Sequence, residues 1–410
     1  MSKQQRIVDI QERLPIGKAF PLSLQHLFAM FGATVLVPFL TGLNPGIALL
    51  TSGIGTLIYI ILTKGMIPGY LGSSFAFIGP IVAVAKTEGI SEALFGCFVS
   101  GIVYIIVALI IKRIGTGWLN KILPPVVVGS IVIVIGLGLA GTAVGMAAKD
   151  WNIAAVALIV AVVASAFFRG FLGVIPILLG IIGGYLFAWF TGSVDLTPVG
   201  QAAWFALPDF QTPKVSWTAA LLIAPVALVT IAEHIGHLLV TENIVGRDLM
   251  KNPGLHRSML GDGVATAIAG LIGGPPSTTY GENIGVMAIT RVYSVWVIGG
   301  AAVLAILFSF IGKISALISS IPVPVMGGIS ILLFGIIASA GLRMLVESGI
   351  DYSHKRNLII SSVILVLGVG NASIHIGDVA IEGMALATFA GILLNLILPK
   401  HLNDEATNDK

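Results

Sequence analysis

The ionisable residues inside long apolar stretches are those whose types and spacing could do chemistry. Residues 231–237 read Ile-Ala-Glu-His-Ile-Gly-His within an apolar run. Glu233 and His237 are four residues apart and share a helix face, whereas His234 is rotated from them by about 100°. Such a pair can exchange a proton near physiological pH, and ionisable groups are costly inside a membrane, so a functional site is predicted here. The alternative is a structural Glu–His hydrogen bond that locks this helix to a neighbour.

A metal site is the less favoured interpretation of the same stretch. The order Glu-His-x-x-His differs from the His-Glu-x-x-His of zinc proteases, in which two ligands lie four residues apart. His234 and His237 are three residues apart, and no third strong ligand stands out in the sequence. We therefore expect no metal.

A second acid, Glu282, follows a break in another apolar run. Glu242 and Asp262 also fall in apolar runs, but they lie near the predicted ends of those runs, and we expect them at the surface. Of the 19 acidic residues, Glu233 and Glu282 are thus the two that are expected deep in the membrane.

Two segments are unusual as helices. Residues 69–75 read Gly-Tyr-Leu-Gly-Ser-Ser-Phe and residues 275–281 read Pro-Pro-Ser-Thr-Thr-Tyr-Gly, and each runs into an ordinary helical stretch. We interpret each as an extended piece followed by a half-helix, because breakers and β-formers dominate both and both occupy matching positions. Half-helix N-termini at mid-membrane would offer N–H groups to a polar ligand. The alternative is two ordinary kinked helices.

The composition identifies the setting of these residues. The 22 basic and 19 acidic residues make only 10% of 410 residues, hydrophobic residues make 56%, and the mean hydropathy is +1.02. Soluble domains are about 25% charged. This excludes a soluble enzyme, a disordered scaffold and a nucleic-acid binder, and predicts a polytopic membrane protein in a lipid bilayer. The single Cys97 excludes an intrachain disulfide.

Apolar runs of the length that a helical span needs predict an all-α protein with fourteen transmembrane segments. The N-terminus does not resemble a cleaved signal, because its apolar run continues as a full span. The predicted spans are residues 20–40, 47–63, 69–85, 90–111, 122–147, 152–168, 171–191, 219–241, 262–274, 278–291, 293–312, 322–342, 357–372 and 380–399.

The cations predict the orientation of these spans. With the N-terminus in the cytoplasm, eighteen of the 22 Lys and Arg residues fall on the cytoplasmic side, as the positive-inside rule requires. The other side keeps four: Lys86, Lys149, Lys214 and Lys313. Both termini are therefore expected in the cytoplasm.

The two halves of the chain resemble each other at an offset of roughly 200 residues. An odd number of spans per half inverts the second repeat, which is the plan of many secondary transporters, with a substrate site near the midplane. The matches are Gln25-His26 with Glu233-His234, Gly53 and Gly55 with Gly261 and Gly263, residues 73–75 with 278–280, and Pro125-Val126 with Pro324-Val325.

Two buried acids that face two broken helices suit a small neutral ligand with both donors and acceptors. A carboxylate accepts N–H donors, and backbone N–H groups donate to carbonyls. Phe75 or Tyr280 would supply a flat apolar wall. A pyrimidine fits these requirements, but the chemistry alone does not narrow the ligand further.

Several motifs together resemble the nucleobase–ascorbate transporter family. They are Gln25-His26, the signature from Glu282-Asn283-Ile284-Gly285 to Thr290-Arg291, and residues 23–32 and 70–77, which are similar to the uracil branch in particular. The likeness covers nearly the whole chain. It implies proton-coupled uptake of uracil across the inner membrane, with the proton as coupling ion, no other cofactor, and a homodimer.

The resemblance also implies a division into two domains and the site residues. The implied parts are a cytoplasmic segment 1–19, a core domain of 20–115 and 219–312, a gate domain of 116–218 and 313–399, and a tail 400–410. The nucleobase would be held by Glu233, Glu282 and the backbone at Phe75 and Gly281, beside Tyr280, with His237 coupling the proton through Glu233 and with Ser74, His26 and Thr279 in support. Ser277 stands where relatives often carry Asn, which puts a peripheral contact in doubt.

Other functions stay open at this point. A transporter of xanthine-like purines or of anions could use the same architecture, although anion carriers of this fold usually add a soluble domain that the tail cannot form. A membrane-embedded enzyme would need a nucleophile or metal constellation, which we do not find. A passive channel is a further alternative, because coupling cannot be read from sequence.

Overall fold

The computed structural model of the protein describes residues 7–376 and 379–399, and most of them are helical. The helices are α1 (Ile16–Thr41), α2 (Pro45–Leu62), α3 (Ile78–Thr87), α4 (Ile90–Ile114), α5 (Gly117–Ile122), α6 (Pro125–Gly138), α7 (Ala140–Ala147), α8 (Trp151–Phe167), α9 (Pro176–Phe190), α10 (Thr197–Gln201), α11 (Trp217–Ile223), α12 (Val226–Val245), α13 (Leu255–Ile272), α14 (Gly281–Thr290), α15 (Val295–Ser309), α16 (Gly312–Ser319), α17 (Val323–Glu347), α18 (Lys355–Val369) and α19 (Gly383–Ile397). The strands are β1 (Leu71–Ser73), β2 (Ser277–Thr279), β3 (Ser373–Ile376) and β4 (Val379–Glu382).

Many of these helices have the length and composition of membrane spans. Six helical segments in the described part of the chain are long and apolar enough to cross a membrane, and five apolar helices are shorter. Each of the predicted apolar runs contains a helix, or a strand that leads into one. The structure therefore agrees with a mostly helical, polytopic fold.

The two predicted breaks are present and face each other. β1 pairs antiparallel with β2, with Leu71 opposite Thr279 and Ser73 opposite Ser277. Two further hydrogen bonds extend the pairing: the Ser74 amide donates to the Pro276 carbonyl and the Tyr280 amide to the Tyr70 carbonyl, both at 2.9 Å. Each extended piece thus satisfies its backbone through the other, as polar backbone away from water requires. The interpretation as kinked helices is wrong.

The helices pack in two groups. Helices α1–α4 and α11–α15 contact one another and enclose β1 and β2, whereas α6–α9 and α17–α19 form the second group. Small residues let helices of the first group approach closely. A Cβ atom on Gly101 of α4, for example, would overlap the backbone of Ala267 in α13.

Several predicted boundaries are wrong. α13 begins at Leu255, seven residues before the predicted start at 262, because the polar residues 256–258 obscure its first turn. The predicted span 219–241 is two helices that meet at Pro225, a residue that cannot donate an intrahelical hydrogen bond. The last predicted span, 380–399, starts inside an antiparallel pair of β3 and β4, and its helix begins at Gly383.

Candidate functional site

The paired strands point two helix N-termini at one region. A 3₁₀ turn, Phe75–Phe77, follows β1 and leads into α3, and Gly281 begins α14 directly after β2. First-turn N–H groups of a helix have no intrahelical partner and carry a partial positive charge. Phe75 is partly exposed and Gly281 is exposed, so both N-termini are open to a ligand.

Helix α12 adds ionisable side chains to the same region. It packs against the Phe75–Phe77 turn, β2 and α14. Glu233 of α12 is partly exposed and lies within electrostatic range of Glu282 on the first turn of α14. Two carboxylates from different helices therefore face a site that also has two helix N-termini.

His237 fastens α12 to the strand pair. Its Nδ1 atom lies 3.1 Å from the hydroxyl oxygen of Thr279, and its Nε2 atom lies 3.5 Å from where a side chain on Gly281 would begin. His237 forms a hydrogen bond with Thr279 and not with Glu233. The structure therefore does not support the alternative that Glu233 and His237 form a structural hydrogen bond with each other. The Glu233 carboxylate accepts no hydrogen bond from the described residues and is left available to a ligand.

Phe75 lies at one end of a cavity between the two helix groups. The cavity has a volume of about 460 Å³ and runs along α3 from Phe75 to Lys86 and Glu88, with α6, α18 and α19 on its other side. The Phe75 ring meets Phe334 of α17 edge to face, with centroids 6.5 Å apart and an interplanar angle of 79°. A flat ligand could approach Phe75 from this side.

Tyr280 packs behind the strands and does not line the cavity. Its side chain is 3% exposed, its ring lies against Gly72, where any side chain would overlap it, and its hydroxyl donates to the Ser73 carbonyl at 3.0 Å. The Thr34 hydroxyl donates to the Tyr280 oxygen at 3.2 Å. Of the two aromatic residues expected as an apolar wall, the structure places Phe75 at the cavity and Tyr280 as a support for β1.

Of the predicted support residues, His26 and Thr279 form hydrogen bonds that join neighbouring elements, whereas the Ser74 side chain forms none within the described part of the chain. Asn283 of α14 donates to the ring nitrogen Nδ1 and to the backbone carbonyl of His26, at 3.1 and 3.0 Å. This bond joins α1 to α14 and connects the Gln-His motif with the signature. Ser74 is fully buried, and its hydroxyl has no hydrogen-bond partner among residues 7–376 and 379–399.

Asp262 is the acid that the sequence reasoning placed wrongly. It is completely buried in the middle of α13, and its Oδ2 atom lies 3.1 Å from His234 Nδ1. The expectation of a surface position failed because the start of α13 was predicted too late. A signal was present: Ser258, Asp262 and Thr266 recur every four residues and form a polar stripe on one helix face. Glu242, by contrast, does lie near the end of α12.

The described part of the chain contains no group of three or more His, Cys, Asp or Glu side chains arranged to hold a metal ion. The ionisable side chains in the region of the two helix N-termini are the carboxyl groups of Glu233 and Glu282 and the imidazole of His237.

Known proteins resemble the chain over almost its full length. The Permease family matches residues 17–377. The uracil permease of Bacillus caldolyticus is 58% identical over 96% of this chain and 95% of its own length, and the uracil permease of Escherichia coli K12 is 54% identical over 96% and 94%.

Two solved structures share the fold at low sequence identity. The transmembrane domain of a cyanobacterium bicarbonate transporter has a TM-score of 0.63 at 13% identity, covering 96% of this chain and 99% of that one. The murine Solute Carrier 26 family member A9 anion transporter, in the inward-facing state, has a TM-score of 0.71 at 10% identity, covering 94% and 68%. At these identities the likeness concerns the fold alone.

Proposed function

The chain belongs to the Permease family, and we propose that it is a secondary transporter that carries uracil across a membrane together with a proton. Membership confirms the resemblance inferred from the sequence motifs and makes the chain a multi-pass membrane transporter, not an enzyme. Uracil as the substrate is supported by relatives of 54–58% identity that are named uracil permeases.

The observation that carries the proposal is the pairing of two helix N-termini with two carboxylates. The N–H groups at Phe75 and Gly281 would donate to the carbonyl oxygens of uracil, and Glu233 and Glu282 would accept its ring N–H groups. The Phe75 ring would cover one face of the pyrimidine. A purely anionic substrate fits less well, because two carboxylates would repel it.

Proton coupling is proposed through Glu233 and His237. Two acids that share a small site cannot both stay ionised without strong repulsion, so binding a neutral ligand between them favours uptake of a proton on one. His237 lies on the face of α12 beside Gly281 and could exchange that proton. In this proposal the proton and uracil enter together, and no metal or organic cofactor takes part.

We further propose that the chain crosses the bacterial inner membrane fourteen times as two inverted repeats of seven, with both termini in the cytoplasm. Two ion pairs support this arrangement, because each joins residues that are predicted on the same side. Asp9 pairs with Arg247 at 2.6 Å on the predicted cytoplasmic side, and Glu92 pairs with Lys214 at 2.8 Å on the other side.

The two helix groups are proposed to be the core domain (20–115 and 219–312) and the gate domain (116–218 and 313–399). The cavity from Phe75 to Lys86 lies between them and leads to the predicted non-cytoplasmic side. Movement of one group against the other would open the site alternately to each side. A homodimer is proposed on the family resemblance.

The test is uptake of labelled uracil into proteoliposomes that contain the purified protein, with unlabelled uracil, xanthine or bicarbonate as competitors. We expect uracil to compete and xanthine and bicarbonate to compete poorly. Preferential competition by xanthine would move the chain to a purine substrate. Uptake that never exceeds equilibration, whatever the gradient, would indicate a channel.

A further inference from the structure

A row of buried polar groups lies near Glu233, and none of them has a role in the uracil binding and proton coupling proposed for Glu233, His237 and Glu282. Asp262 contacts His234 Nδ1 at 3.1 Å, His234 Nε2 lies 2.7 Å from the Ser258 hydroxyl, and this hydroxyl lies 2.7 Å from the Tyr59 hydroxyl. Asp262, His234 and Ser258 are completely buried, and Tyr59 is 1% exposed. Side chains from α2, α12 and α13 thus form one continuous polar chain inside the first helix group.

The buried carboxylate of Asp262 lacks hydrogen-bond donors among the described residues. Its contact with His234 is close but is not aligned as a hydrogen bond, and neither of its oxygens accepts a hydrogen bond from any described residue. Buried carboxylates normally have such partners, and one without them calls for an explanation. A carboxyl group that alternately gains and loses a proton explains it, because the neutral form needs fewer partners.

Asp262 is also electrically coupled to the proposed substrate site. Asp262 lies within electrostatic range of the Glu233 carboxylate, and both carboxylates lie within electrostatic range of Tyr104 on α4. Two neighbouring acids in an apolar interior repel each other when both are ionised. A proton on one of them therefore favours the ionised state of the other.

The polar chain runs toward the side that carries the cations. Tyr59 stands three residues before the end of α2, and Ser258 lies in the first turn of α13, beside Arg257. The Arg257 side chain donates to the Leu62 carbonyl at 3.3 Å. A cavity of about 10 Å³ next to Tyr59 has the volume that a single water needs. The positive-inside rule makes this side cytoplasmic.

We propose that Asp262, His234, Ser258 and Tyr59 form a proton path that carries the symported proton from Glu233 toward the cytoplasm, separately from uracil. This inference rests on the proposed proton-coupled function. Asp262 would accept the proton that Glu233 releases. His234 Nε2 is within hydrogen-bond distance of the Ser258 hydroxyl, and its Nδ1 lies 3.1 Å from Asp262, so a small reorientation of the Asp262 carboxyl group would complete the relay.

The proton count balances at each step. The proton leaves Glu233 as its carboxylate forms and binds an oxygen of Asp262. His234 accepts it at one nitrogen and gives a proton from the other to Ser258. Ser258 passes a proton to Tyr59, and Tyr59 gives its own hydroxyl proton to a water, for which the cavity beside it has room. One proton enters and one leaves, after which the imidazole and the hydroxyls return to their starting orientations by rotation.

Ser258→Ala is the sharpest test, because it removes one oxygen from the middle of the path and leaves both acids in place. Ser100→Ala is the matched control: Ser100 is equally buried in α4, but its hydroxyl donates only to the Gly96 carbonyl of its own helix. Each variant is compared with the unmodified protein in proteoliposomes for uracil binding, for uracil counterflow at equal pH, and for uptake driven by an inward proton gradient.

Counterflow can proceed with the proton bound throughout, whereas net uptake requires proton release on the inside. For Ser258→Ala we expect uracil affinity and counterflow close to those of Ser100→Ala. Gradient-driven uptake should fall by roughly tenfold or more, the low end of what a positioned proton-transfer group contributes. Asp262→Asn should show the same separation and a larger loss.

The proton path would be overturned if gradient-driven uptake by Ser258→Ala equalled that of Ser100→Ala. The proposed function would still stand in that case, provided that the unmodified protein binds uracil and couples its uptake to protons. Equal losses of binding, counterflow and uptake in folded Ser258→Ala would also overturn it and assign Ser258 a structural role. Uptake by the unmodified protein that ignores the proton gradient would overturn the proposed coupling and the path together.

Discussion

Gly72→Ala is predicted to disturb the site without touching any residue that would contact uracil. Gly72 lies in the centre of β1, opposite Thr278, and the Tyr280 ring covers the place where a side chain would begin. An added methyl group would force this ring away from the strand. The Tyr280 hydroxyl would then lose its hydrogen bonds with the Ser73 carbonyl and the Thr34 hydroxyl.

The magnitude follows from these contacts. Overpacking a well-filled interior costs about 1–3 kcal/mol, and loss of two buried hydrogen bonds adds about 2 kcal/mol. A total loss of stability of roughly 3–5 kcal/mol is expected on these principles. Because β1 positions the N–H groups at Phe75, uracil affinity should fall as well.

The assay is the thermal unfolding midpoint of the purified protein with and without uracil, together with uracil binding. Gly79→Ala is the control, since Gly79 lies a few residues further along in α3 and a Cβ atom there meets nothing within 4 Å. Gly72→Ala combined with Tyr280→Ala should be little worse than Tyr280→Ala alone, because the clash needs both partners. Unchanged midpoint and affinity in Gly72→Ala would refute the reasoning.

Four further substitutions test individual contacts. Glu282→Ala should weaken uracil binding by about 10- to 100-fold, as loss of a hydrogen bond to a charged group does; unchanged affinity in a calorimetric titration would remove Glu282 from the site. Glu233→Gln should abolish gradient-driven uptake, and near-normal accumulation would remove it from the proton step. Asn283→Ala leaves two buried acceptors of His26 unpaired. It should reduce the free energy of unfolding by about 2–4 kcal/mol and so lower the thermal midpoint; an unchanged midpoint would contradict a stabilising role of these two hydrogen bonds. Phe334→Leu removes an edge contact with Phe75 worth about 0.5–1.5 kcal/mol and should weaken binding about two- to tenfold, so an unaltered dissociation constant would separate Phe334 from the site.

The sequence favoured the broken segments over kinked helices because helix breakers and β-formers occupy matching positions in both halves of the chain. Gly, Pro, Ser and Thr dominate residues 69–75 and 275–281, and a membrane interior forces extended backbone to find a partner. The pairing of β1 with β2 follows from both facts. The sequence also singled out Glu233 and Glu282 as candidate site residues, because isolated acids in apolar runs are rare.

The structural positions of Asp262 and Tyr280 differ from those expected from the sequence. Asp262 was misplaced because helix starts are hidden when the first turn carries polar residues such as His256 and Arg257. Tyr280 was expected at the ligand because its ring could supply a flat apolar wall, but the direction of this ring depends on the space left by Gly72 across the strands. Such cross-strand contacts depend on register, which composition does not specify.

Uracil-driven proton entry measures the central claim most directly. Proteoliposomes with a pH-sensitive dye inside would receive uracil outside, without any imposed pH gradient and with the membrane potential clamped at zero. We expect the interior to acidify when uracil is added, xanthine to produce little change, and Glu233→Gln to abolish the response. Uracil entry at a normal rate with no acidification would contradict the claim that uracil and a proton are carried together.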